Sequence, residues 1–369
     1  MGFRKGPLEG MEMSIGGFYR GKKVLVTGHT GFKGSWLCEV LLAMGADVSG
    51  YSLAPNTSPN LYTALGLEKR VAGHLGDIRD YAPLAKAFGK TRPEMVFHLA
   101  AQPLVRDSYD DPLYTFSTNV MGTANVLECM RQRPGVKAAV IITTDKVYEA
   151  KEGKPHKETD VLGGYDPYSS SKVCAEHVTR CYTRSFFNPK NGTKTLIASA
   201  RAGNVIGGGD WSKDRLVPDI VRSIFEKKEP VALRNPEAVR PWQHVLDPLF
   251  GYLVLAKKLH EGDRKAVGAW NFAPEKESFI TTEKLVTEAI KRIGNGSYVV
   301  KKEPGKHETG ILKLDASKAK KELGWKPMLG IDESLEWTLE WYKSFYRGGD
   351  MAGVTAAQIG RYMELSAYG

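Results

Sequence analysis

A tyrosine and a lysine, Tyr168 and Lys172, are spaced so that they could act together in proton transfer. They begin and end the segment YSSSK, and this spacing places both side chains on one face of a helix. A nearby ammonium group lowers the pKa of a phenol, so Tyr168 could accept a proton from a hydroxyl group while a cofactor takes the hydride. The spacing also occurs by chance in many helices. The prediction therefore depends on the elements that surround the pair.

A glycine-rich turn near the amino end could bind a phosphate. The segment TGHTGFKG follows a short apolar run, Val24 to Thr27, and overlaps the start of a helical pattern from Phe32 to Met44. Glycines let the chain turn sharply and let a pyrophosphate approach the amides of a helix amino terminus. Two side chains of the turn, His29 and Lys33, could instead be exposed loop residues. We predict that a dinucleotide contacts Gly28, His29, Thr30, Gly31, Phe32, Lys33 and Gly34.

The acidic residue that often binds the adenosine ribose of NAD is missing from its usual place. Such a carboxylate lies about 20 residues after the turn, at the end of the second strand. Gly50, Tyr51 and Ser52 occupy that place, so no carboxylate there would repel a 2′-phosphate. We predict NAD as the cofactor, leave NADP open, and place Ser52 near the ribose. Asp77 and Ile78 are predicted to contact the adenine, although Asp77 could also merely cap a turn.

Strand and helix patterns alternate through the first half of the chain. Strands are predicted at Asp47 to Ser52, Val71 to Leu75, Met95 to Leu99, Ala138 to Thr143 and Thr195 to Ala200. Helices are predicted at Tyr81 to Phe88, Pro112 to Arg131 and Pro167 to Ser185. The alternation predicts an α/β fold with a doubly wound, parallel, Rossmann-type sheet.

The pattern becomes irregular after Gly203, with glycine- and proline-rich loops between helices. We predict these helices at Val217 to Lys227, Pro248 to His260, Thr281 to Ile293, Ala316 to Leu323 and Glu333 to Tyr346. The predicted organisation is an N-terminal extension (1–20), a dinucleotide-binding domain (21–203), and a smaller mixed C-terminal substrate-binding lobe (204–369). Some segments of the lobe are expected to return to the first domain.

Composition narrows the class of ligand. The net charge of +10 over 369 residues favours anionic partners, but the basic residues are scattered rather than striped. This favours a phosphorylated small molecule over nucleic acid. No apolar run approaches the roughly 18 residues of a membrane span, and the first residues lack the apolar core of a secretory signal. The four cysteines lie at no metal-ligand spacing. We predict a cytoplasmic enzyme that binds no nucleic acid, membrane or metal.

The segment before Tyr168 strengthens the catalytic prediction. A predicted strand ends in Thr143, and Thr144, Asp145 and Lys146 follow it. Together with the glycine turn, this arrangement resembles the extended short-chain dehydrogenase/reductase family, in which a threonine or serine at a strand end joins the tyrosine and lysine. Within that family, Asp145 and Lys146 after this threonine resemble the nucleotide-sugar 4,6-dehydratases, which have an aspartate and then a glutamate or lysine at these positions. Epimerases of the family usually lack this pair. Longer stretches in both lobes resemble the subgroup that acts on CDP-glucose: GHTGFKGSW, AAQPLVRDSY, GGYDPYSSSK, RAGNVIGGGDW and RPWQHVLDPL.

The resemblance implies a dehydration of CDP-glucose without net oxidation. Tyr168 would take the proton of the glucose 4-hydroxyl as hydride leaves C4 for the cofactor, with Thr144 and Lys172 assisting. Asp145 would protonate the departing 6-hydroxyl and Lys146 would take the C5 proton, after which the hydride returns to C6. A lysine near its ordinary pKa of about 10.4 is a poor base at neutral pH. Alternatively, Lys146 only orients Asp145.

The resemblance also implies the other contacts and the setting of the reaction. Cofactor contacts would include Ala100, Ala101, Gln102 and Asn119. Substrate contacts would include Arg106, Asn204, Arg215, Arg234, Arg240 and His307, since guanidinium groups suit phosphate oxygens. A homo-oligomer, dimer or tetramer, would form through the helices at 112–131 and 167–185, and the product would serve deoxysugar biosynthesis such as that of lipopolysaccharide O-antigen. Competing hypotheses are another nucleotide-sugar dehydratase, a 4-epimerase and a non-catalytic cofactor-binding sensor.

Overall fold

The computed structural model describes residues 15–149, 153–301 and 313–365. Thirteen strands are found in these ranges. They are β1 (Lys23–Thr27), β2 (Asp47–Ser52), β3 (Ala72–Leu75), β4 (Met95–His98), β5 (Ala138–Ile142), β6 (Leu196–Arg201), β7 (Val205–Ile206), β8 (Val231–Leu233), β9 (Val239–Pro241), β10 (Gln243–His244), β11 (Gly268–Asn271), β12 (Phe279–Thr281) and β13 (Tyr298–Val300).

Helices follow most of these strands. They are α1 (Ile15–Tyr19), α2 (Phe32–Ala43), α3 (Leu61–Ala64), α4 (Tyr81–Thr91), α5 (Val105–Asp110), α6 (Pro112–Phe116), α7 (Gly122–Gln132), α8 (Pro167–Ser185), α9 (Leu216–Val221), α10 (Leu246–His260), α11 (Thr282–Ile293), α12 (Ile331–Tyr346) and α13 (Met351–Leu365). Single turns of 3-10 or π type cover Leu67–Lys69, Ser117–Met121, Asp145–Val147, Pro189–Asn191, Arg222–Lys227, Arg264–Ala266, Lys276–Ser278 and Ala319–Leu323. No helix within the described ranges is both long enough and apolar enough to span a bilayer.

The central sheet has seven parallel strands in the order β3-β2-β1-β4-β5-β6-β11. The strand order reverses between β1 and β4, and ligands of open α/β sheets bind at the carboxyl edge beside such a reversal. The predicted Rossmann-type fold is therefore confirmed. The bounds of β2 and α8 are those predicted, and the predicted helix at 112–131 is interrupted by a π turn between α6 and α7.

Helices cover both faces of the sheet, which explains the continuous apolar runs in its central strands. Successive residues of a strand point to opposite faces. Val24 and Val26 of β1 therefore join one buried cluster, and Leu25 between them joins the other. All residues of β4 and β5 are buried. This two-sided burial keeps the carboxyl edge rigid.

The second half of the chain is divided between the sheet and a smaller lobe. Three two-stranded sheets pair β7 with β10, β8 with β13 and β9 with β12. The segment from α10 to β11 returns to the first domain, because α10 packs on β5 and β6 and β11 extends the sheet beside β6. We propose that the dinucleotide-binding domain ends at residue 203 and that residues 246–271 of the following lobe belong to that first domain.

The last helix, α13, was not predicted from the sequence. Its segment contains Gly353 and Gly360, and glycine weakens an isolated helix. Tertiary contacts hold it instead: Trp341 donates a hydrogen bond to Thr355 (2.9 Å), and Gln358 donates one to the carbonyl of Trp337 (2.8 Å). Packing against α12 therefore compensates for weak local propensity.

A buried carboxyl group, Asp247 in the first turn of α10, ties the end of the chain to the core. Its Oδ1 accepts hydrogen bonds from the Tyr362 hydroxyl of α13 (2.7 Å) and from the backbone amide of Met328 (2.7 Å). The Trp325 indole donates to the Asp247 carbonyl (2.9 Å). Burial raises the pKa of the Asp247 carboxyl to about 7. The junction is therefore most stable with a neutral carboxyl.

The Asp247 junction predicts a pH-dependent stability difference. The folded-state pKa lies above the value of about 3.9 expected in the unfolded chain, so the folded protein binds the extra proton. Its contribution is complete below about pH 4 and is lost as pH rises through about 7. The advantage of wild type over Asp247→Asn should therefore shrink by about 4 kcal/mol between pH 4 and 8, which corresponds to several degrees in thermal midpoint.

The measurement is thermal unfolding of both proteins across this pH range. Asp47→Asn, a change of an exposed carboxylate on β2, serves as the matched control and should follow wild type at every pH. A constant difference between wild type and Asp247→Asn would contradict the assignment.

Candidate active site

A cavity of about 1110 Å³ lies at the carboxyl edge of the central sheet, between the sheet and the smaller lobe. Its walls come from the loops after β1, β2, β4, β5 and β6 and from the lobe. The predicted site residues that line it are Gly28, Thr30, Gly31, Phe32, Lys33, Gly34, Ser52, Asp77, Ile78, Ala100, Ala101, Gln102, Arg106, Thr144, Asp145, Lys146, Tyr168, Lys172, Asn204, Arg215, Arg234 and Arg240.

The glycine turn after β1 approaches the end of β4 too closely for any side chain. A Cβ atom at Gly28 (φ 76°) would lie 2.7 Å from the Ala100 amide nitrogen, and one at Gly34 would lie 2.0 Å from the Gly28 carbonyl oxygen. Both contacts are with backbone, which cannot swing away. Glycine is required at both positions, and the turn exposes its backbone to the cavity.

His29 does not contact the cavity, and the expectation for its side chain is corrected. The imidazole is fully buried and lies beneath β2, where a Cβ at Gly50 would be 2.2 Å from its Cγ. Burial lowers the pKa of His29 to about 4, so the ring is neutral. It is therefore a packing residue rather than an exposed loop residue, and only its backbone remains a candidate for phosphate binding.

The predicted adenosine side of the cavity is organised by hydrogen bonds around Ser52 and Asp77. Thr30 is hydrogen-bonded to the Ser52 hydroxyl (2.8 Å) and donates to the Leu53 carbonyl (2.8 Å). Arg79 holds the Asp77 carboxylate through its backbone amide (2.8 Å) and its guanidinium (2.7 Å). The Asp77 side chain is thus partly engaged within the protein.

Asn119 supports the cavity wall without lining it. It lies in the π turn between α6 and α7, accepts a hydrogen bond from the Gln102 amide (2.8 Å) and donates one to the Ser171 hydroxyl (2.8 Å). The predicted direct contact with the cofactor is therefore corrected to a bridge between the end of β4 and α8, which carries the catalytic pair.

Helix α8 begins at the residue that the sequence predicts, and this start determines where the predicted catalytic pair, Tyr168 and Lys172, lies. Asp166 caps the helix by accepting from the Ser169 amide (2.9 Å), and Pro167 occupies the first turn. Tyr168 is hydrogen-bonded to Thr144 at the end of β5. Lys172 donates to the Ile142 carbonyl of the same strand (3.2 Å). Helix and strand thus bring the predicted triad together.

The electrostatics of the pair differ from the sequence-based expectation. Burial raises the pKa of the Tyr168 phenol to about 12, and the hydrogen bond with Thr144 offsets only part of that rise. Burial lowers the pKa of the Lys172 ammonium to about 8, against the Glu176 carboxylate, which raises it. The expected lowering of the Tyr168 pKa by Lys172 is wrong for the protein alone, because desolvation exceeds the effect of the neighbouring charges.

The two carboxylate oxygens of Asp145 differ in their hydrogen bonding. Its Oδ1 accepts from the Thr144 hydroxyl (2.9 Å), and the Lys146 ammonium lies 3.7 Å from the same atom. Its buried Oδ2 has no hydrogen-bond partner among the residues that the structure describes. A Cβ at Gly203 would lie 2.2 Å from this Oδ2. The missing side chain at 203 therefore makes the room that the Asp145 carboxylate itself occupies.

Arginines collect at the lobe side of the cavity. Arg106 of α5 and Arg234 after β8 both form ion pairs with Asp214 (3.3 and 2.8 Å), and Arg215 pairs with Asp210 (3.1 Å). The other predicted substrate contacts, Arg240 and Asn204, line the same wall, and Asn204 has a positive φ of 50°. His307 lies outside the described residues.

Several residues around the site were not predicted from sequence. Gly203 follows a strand, but only the contact with Asp145 shows why it must be glycine. Glu176 lies one helical turn after Lys172, and that spacing was a usable signal. Asp214 carries no sequence signal, since its two arginine partners come from distant segments.

Three comparisons with known proteins agree with this geometry. A family model described as GDP-mannose 4,6 dehydratase matches residues 25–338. A CDP-glucose 4,6-dehydratase of Salmonella typhimurium is 48% identical over 353 residues, covering 95% of this chain and 98% of the relative. A UDP-glucose 4-epimerase structure of Thermus thermophilus in complex with NAD superposes with a TM-score of 0.74 at 27% identity, covering 87% of this chain and 98% of the other.

A second solved structure, a UDP-glucose 4-epimerase of Thermotoga maritima with UDP-glucose, has a TM-score of 0.75 at 26% identity and covers 87% of this chain and 99% of the other. The fold is thus shared with epimerases, whereas the sequence match at 48% identity is to a dehydratase. The chain belongs to the GDP-mannose 4,6-dehydratase family, a group of nucleotide-sugar enzymes within the extended short-chain dehydrogenases/reductases.

Proposed function

We propose that this chain converts CDP-glucose to CDP-4-keto-6-deoxyglucose and water. The observation that carries the proposal is the buried Oδ2 of Asp145, which has no hydrogen-bond partner among the described residues and lies beside Thr144 and Lys146 at the cavity. A 4-epimerase needs no acid for a leaving hydroxyl, so this group favours dehydration. The 48% identity to the Salmonella enzyme supports cytidine as the base.

The cavity fits a nicotinamide dinucleotide. At Gly28 and Gly34 any Cβ would meet backbone, so these glycines let the turn close tightly beside the cavity, and Thr30, Ser52 and Gln102 supply polar groups along the wall. We propose NAD, which is named in the Thermus thermophilus complex; when bound, it supplies a positively charged ring that accepts hydride from the sugar and later returns it. In this proposal Lys33, whose pKa burial and Arg215 lower to about 8, adds positive charge beside the turn.

Tyr168 is the proposed acceptor of the proton on the glucose 4-hydroxyl. Thr144 orients the phenol by a hydrogen bond, and Lys172, held by the Ile142 carbonyl, supplies positive charge near it. A phenolate requires more positive charge than the protein alone provides, since the pKa of Tyr168 is about 12. In this proposal the additional positive charge comes with the bound cofactor, which must therefore be in place before the proton moves.

Asp145 and Lys146 are the proposed groups for the elimination. In this proposal a proton passes from the Lys146 ammonium to the Asp145 carboxylate, whose Oδ1 lies 3.7 Å from Nζ, and leaves a neutral amine and a carboxylic acid. A carbonyl at C4 acidifies the C5 proton, which that amine removes, while the Asp145 acid delivers its proton to the departing O6. Water leaves, and the same amine returns a proton to C5 as C6 is reduced. Lys146 is partly exposed, with 29% of its side chain accessible, so it has room to reach the sugar.

We also propose a cytoplasmic homodimer that serves deoxysugar biosynthesis, including that of O-antigen. Helices α6, α7 and α8 would form the contact, and exposed Leu113 and Met121 on the first part of this surface (81% and 56%) support it. All four cysteines are free thiols, as is usual in a reducing compartment. Light scattering of the purified protein tests the oligomeric state.

The substrate proposal predicts a selective reaction. Purified protein incubated with CDP-glucose and NAD should yield a product that has lost one water, detected by mass spectrometry. A deuterium placed at C4 of the glucose should reappear at C6. UDP-glucose, dTDP-glucose and GDP-mannose, each with NAD or NADP, serve as controls and should react far more slowly. Turnover of only another nucleotide sugar would contradict the choice of base, and a C4 epimer would contradict the reaction.

The catalytic assignments predict two damaging substitutions. Tyr168→Phe removes the proton acceptor and Asp145→Asn removes the acid, so each should lower kcat by about 10²- to 10⁴-fold with an unchanged circular dichroism spectrum. Tyr182→Phe is the matched control for the phenol. Tyr182 lies on the far part of α8, and the change removes only its hydrogen bond to Glu128 of α7. Near-normal turnover in either damaging variant would remove the residue from the mechanism.

The role of Lys146 predicts a separate loss. If its amine exchanges the C5 proton, Lys146→Gln should abolish uptake of solvent deuterium at C5, measured by NMR of the product. Lys146→Glu restores a base and should recover part of the uptake. Full deuterium uptake in Lys146→Gln would instead show that the lysine only orients Asp145.

A further inference from the structure

A buried carboxylate lies directly behind the catalytic lysine. Glu176 follows Lys172 by one turn of α8 and is buried. Its Oε1 accepts from the Thr143 hydroxyl (2.7 Å) and from Arg201 Nε (2.8 Å). Its Oε2 accepts from the Ser199 hydroxyl (2.7 Å) and from Arg201 Nη2 (3.0 Å). Four donors from two strands thus surround one carboxylate.

The partner arginine is held from the other side as well. Arg201 at the end of β6 donates to the Tyr148 hydroxyl (2.6 Å), which donates to Asn271 of β11 (2.7 Å). Burying an ion pair removes both charges from water at high cost, and a well-packed apolar pair often gives equal stability. Stability alone therefore does not account for a charged pair at this place.

The Glu176–Arg201 ion pair lies next to Lys172 and to the strand end that carries Thr144, and this position suggests its role. Glu176 and Lys172 occupy one face of α8, and the Glu176 charge acts on the ammonium group to favour its protonated form. Through Thr143, the same carboxylate holds the residue that precedes Thr144 on the strand end. Glu176 therefore acts on Lys172 through its charge and on the position of Thr144 through its hydrogen bond with Thr143.

Other charged and titratable groups also face Lys172. Lys33 of α2 lies close enough for mutual repulsion. His98 of β4 is neutral, since burial lowers its pKa to about 3. Tyr168 on the same helix is protonated in the protein alone, and Asp145 interacts with Lys33 across the site. Against this largely cationic surrounding, Glu176 supplies the compensating negative charge.

We propose that Glu176, clamped by Arg201, is a positioning residue that keeps Lys172 in its ammonium form and holds the strand end that carries Thr144. The inference rests on the proposed function, because Lys172 acts there as the cation beside Tyr168. Glu176 touches neither substrate nor cofactor in this proposal. Its effect passes through Lys172.

Two substitutions of the pair should shift the pH profile in opposite directions. Glu176→Gln removes the negative charge, so Lys172 loses its proton at a lower pH and kcat falls about fivefold near pH 8, with the alkaline limb moved down by about one pH unit. Arg201→Gln leaves the Glu176 charge uncompensated and should move the same limb upward. KM for CDP-glucose should change less than about twofold in both.

Ser199→Ala is the matched control, because it removes one hydrogen bond to Glu176 without changing charge, and its profile should match wild type. General structural damage would lower kcat in both charge variants at every pH and would move neither limb. The two charge variants are predicted to shift the alkaline limb in opposite directions, so the test can be made even if only one of them folds. Unmoved limbs in a folded, active variant would overturn the inference.

A second measurement needs no turnover and separates this inference from the proposed function. The pH dependence of Lys172 acetylation by acetic anhydride, followed by mass spectrometry of its peptide, reports the amine directly. Glu176→Gln should increase labelling at neutral pH, and Arg201→Gln should decrease it. If wild type turns over no nucleotide sugar, the proposed function fails, and this labelling still decides the inference. Equal labelling in wild type and both variants would overturn it.

Discussion

The backbone of the glycine turn after β1 touches the end of β4, and the site is built around this contact. Because Gly28 leaves no side chain between the turn and Ala100, the strand ends lie side by side and in line. The register continues from Thr27 opposite His98, through Ile141, to Ser199. Loops that leave these strands therefore open into one cavity, at the place where the strand order reverses.

Charge inside this cavity is balanced by pairs rather than by solvent. The lobe wall carries arginines held by Asp210 and Asp214, and Arg201 forms an ion pair with Glu176 of α8. Such pairing keeps the arginine side chains ordered, so binding the proposed diphosphate would cost less entropy than with free side chains. The net charge of +10 acts on the same anionic ligands at longer range.

The proposed dehydration and the epimerisation of structural neighbours can share one redox apparatus. In the proposed mechanism Thr144, Tyr168 and Lys172 serve the step at C4 of the sugar, which both reactions require. What distinguishes the proposed dehydration is a second group of side chains, Asp145 and Lys146, which directly follow Thr144 at the same strand end. A fold that holds the cofactor can therefore support a new reaction through residues on a single loop, consistent with function residing in the site rather than the fold.

Local patterns determined the elements and the motif positions. The apolar strands, the glycine turn and the capped start of α8 follow from short-range rules, because backbone geometry and hydrogen bonding within a few residues decide them. The spacing of Tyr168 and Lys172 on one helix face belongs to the same class. The resemblance of long segments extended this to the reaction and the substrate.

Long-range packing decided the rest. The sequence could not show that His29 turns beneath Gly50 away from the cavity, because both conformations of a loop histidine satisfy local rules. Desolvation, which sets the high pKa of Tyr168, depends on atoms brought together from distant segments. The helix α13 has weak propensity and forms because α12 and Asp247 hold it. Burial and non-local contacts are properties of the folded chain, so only the tertiary structure could decide these features.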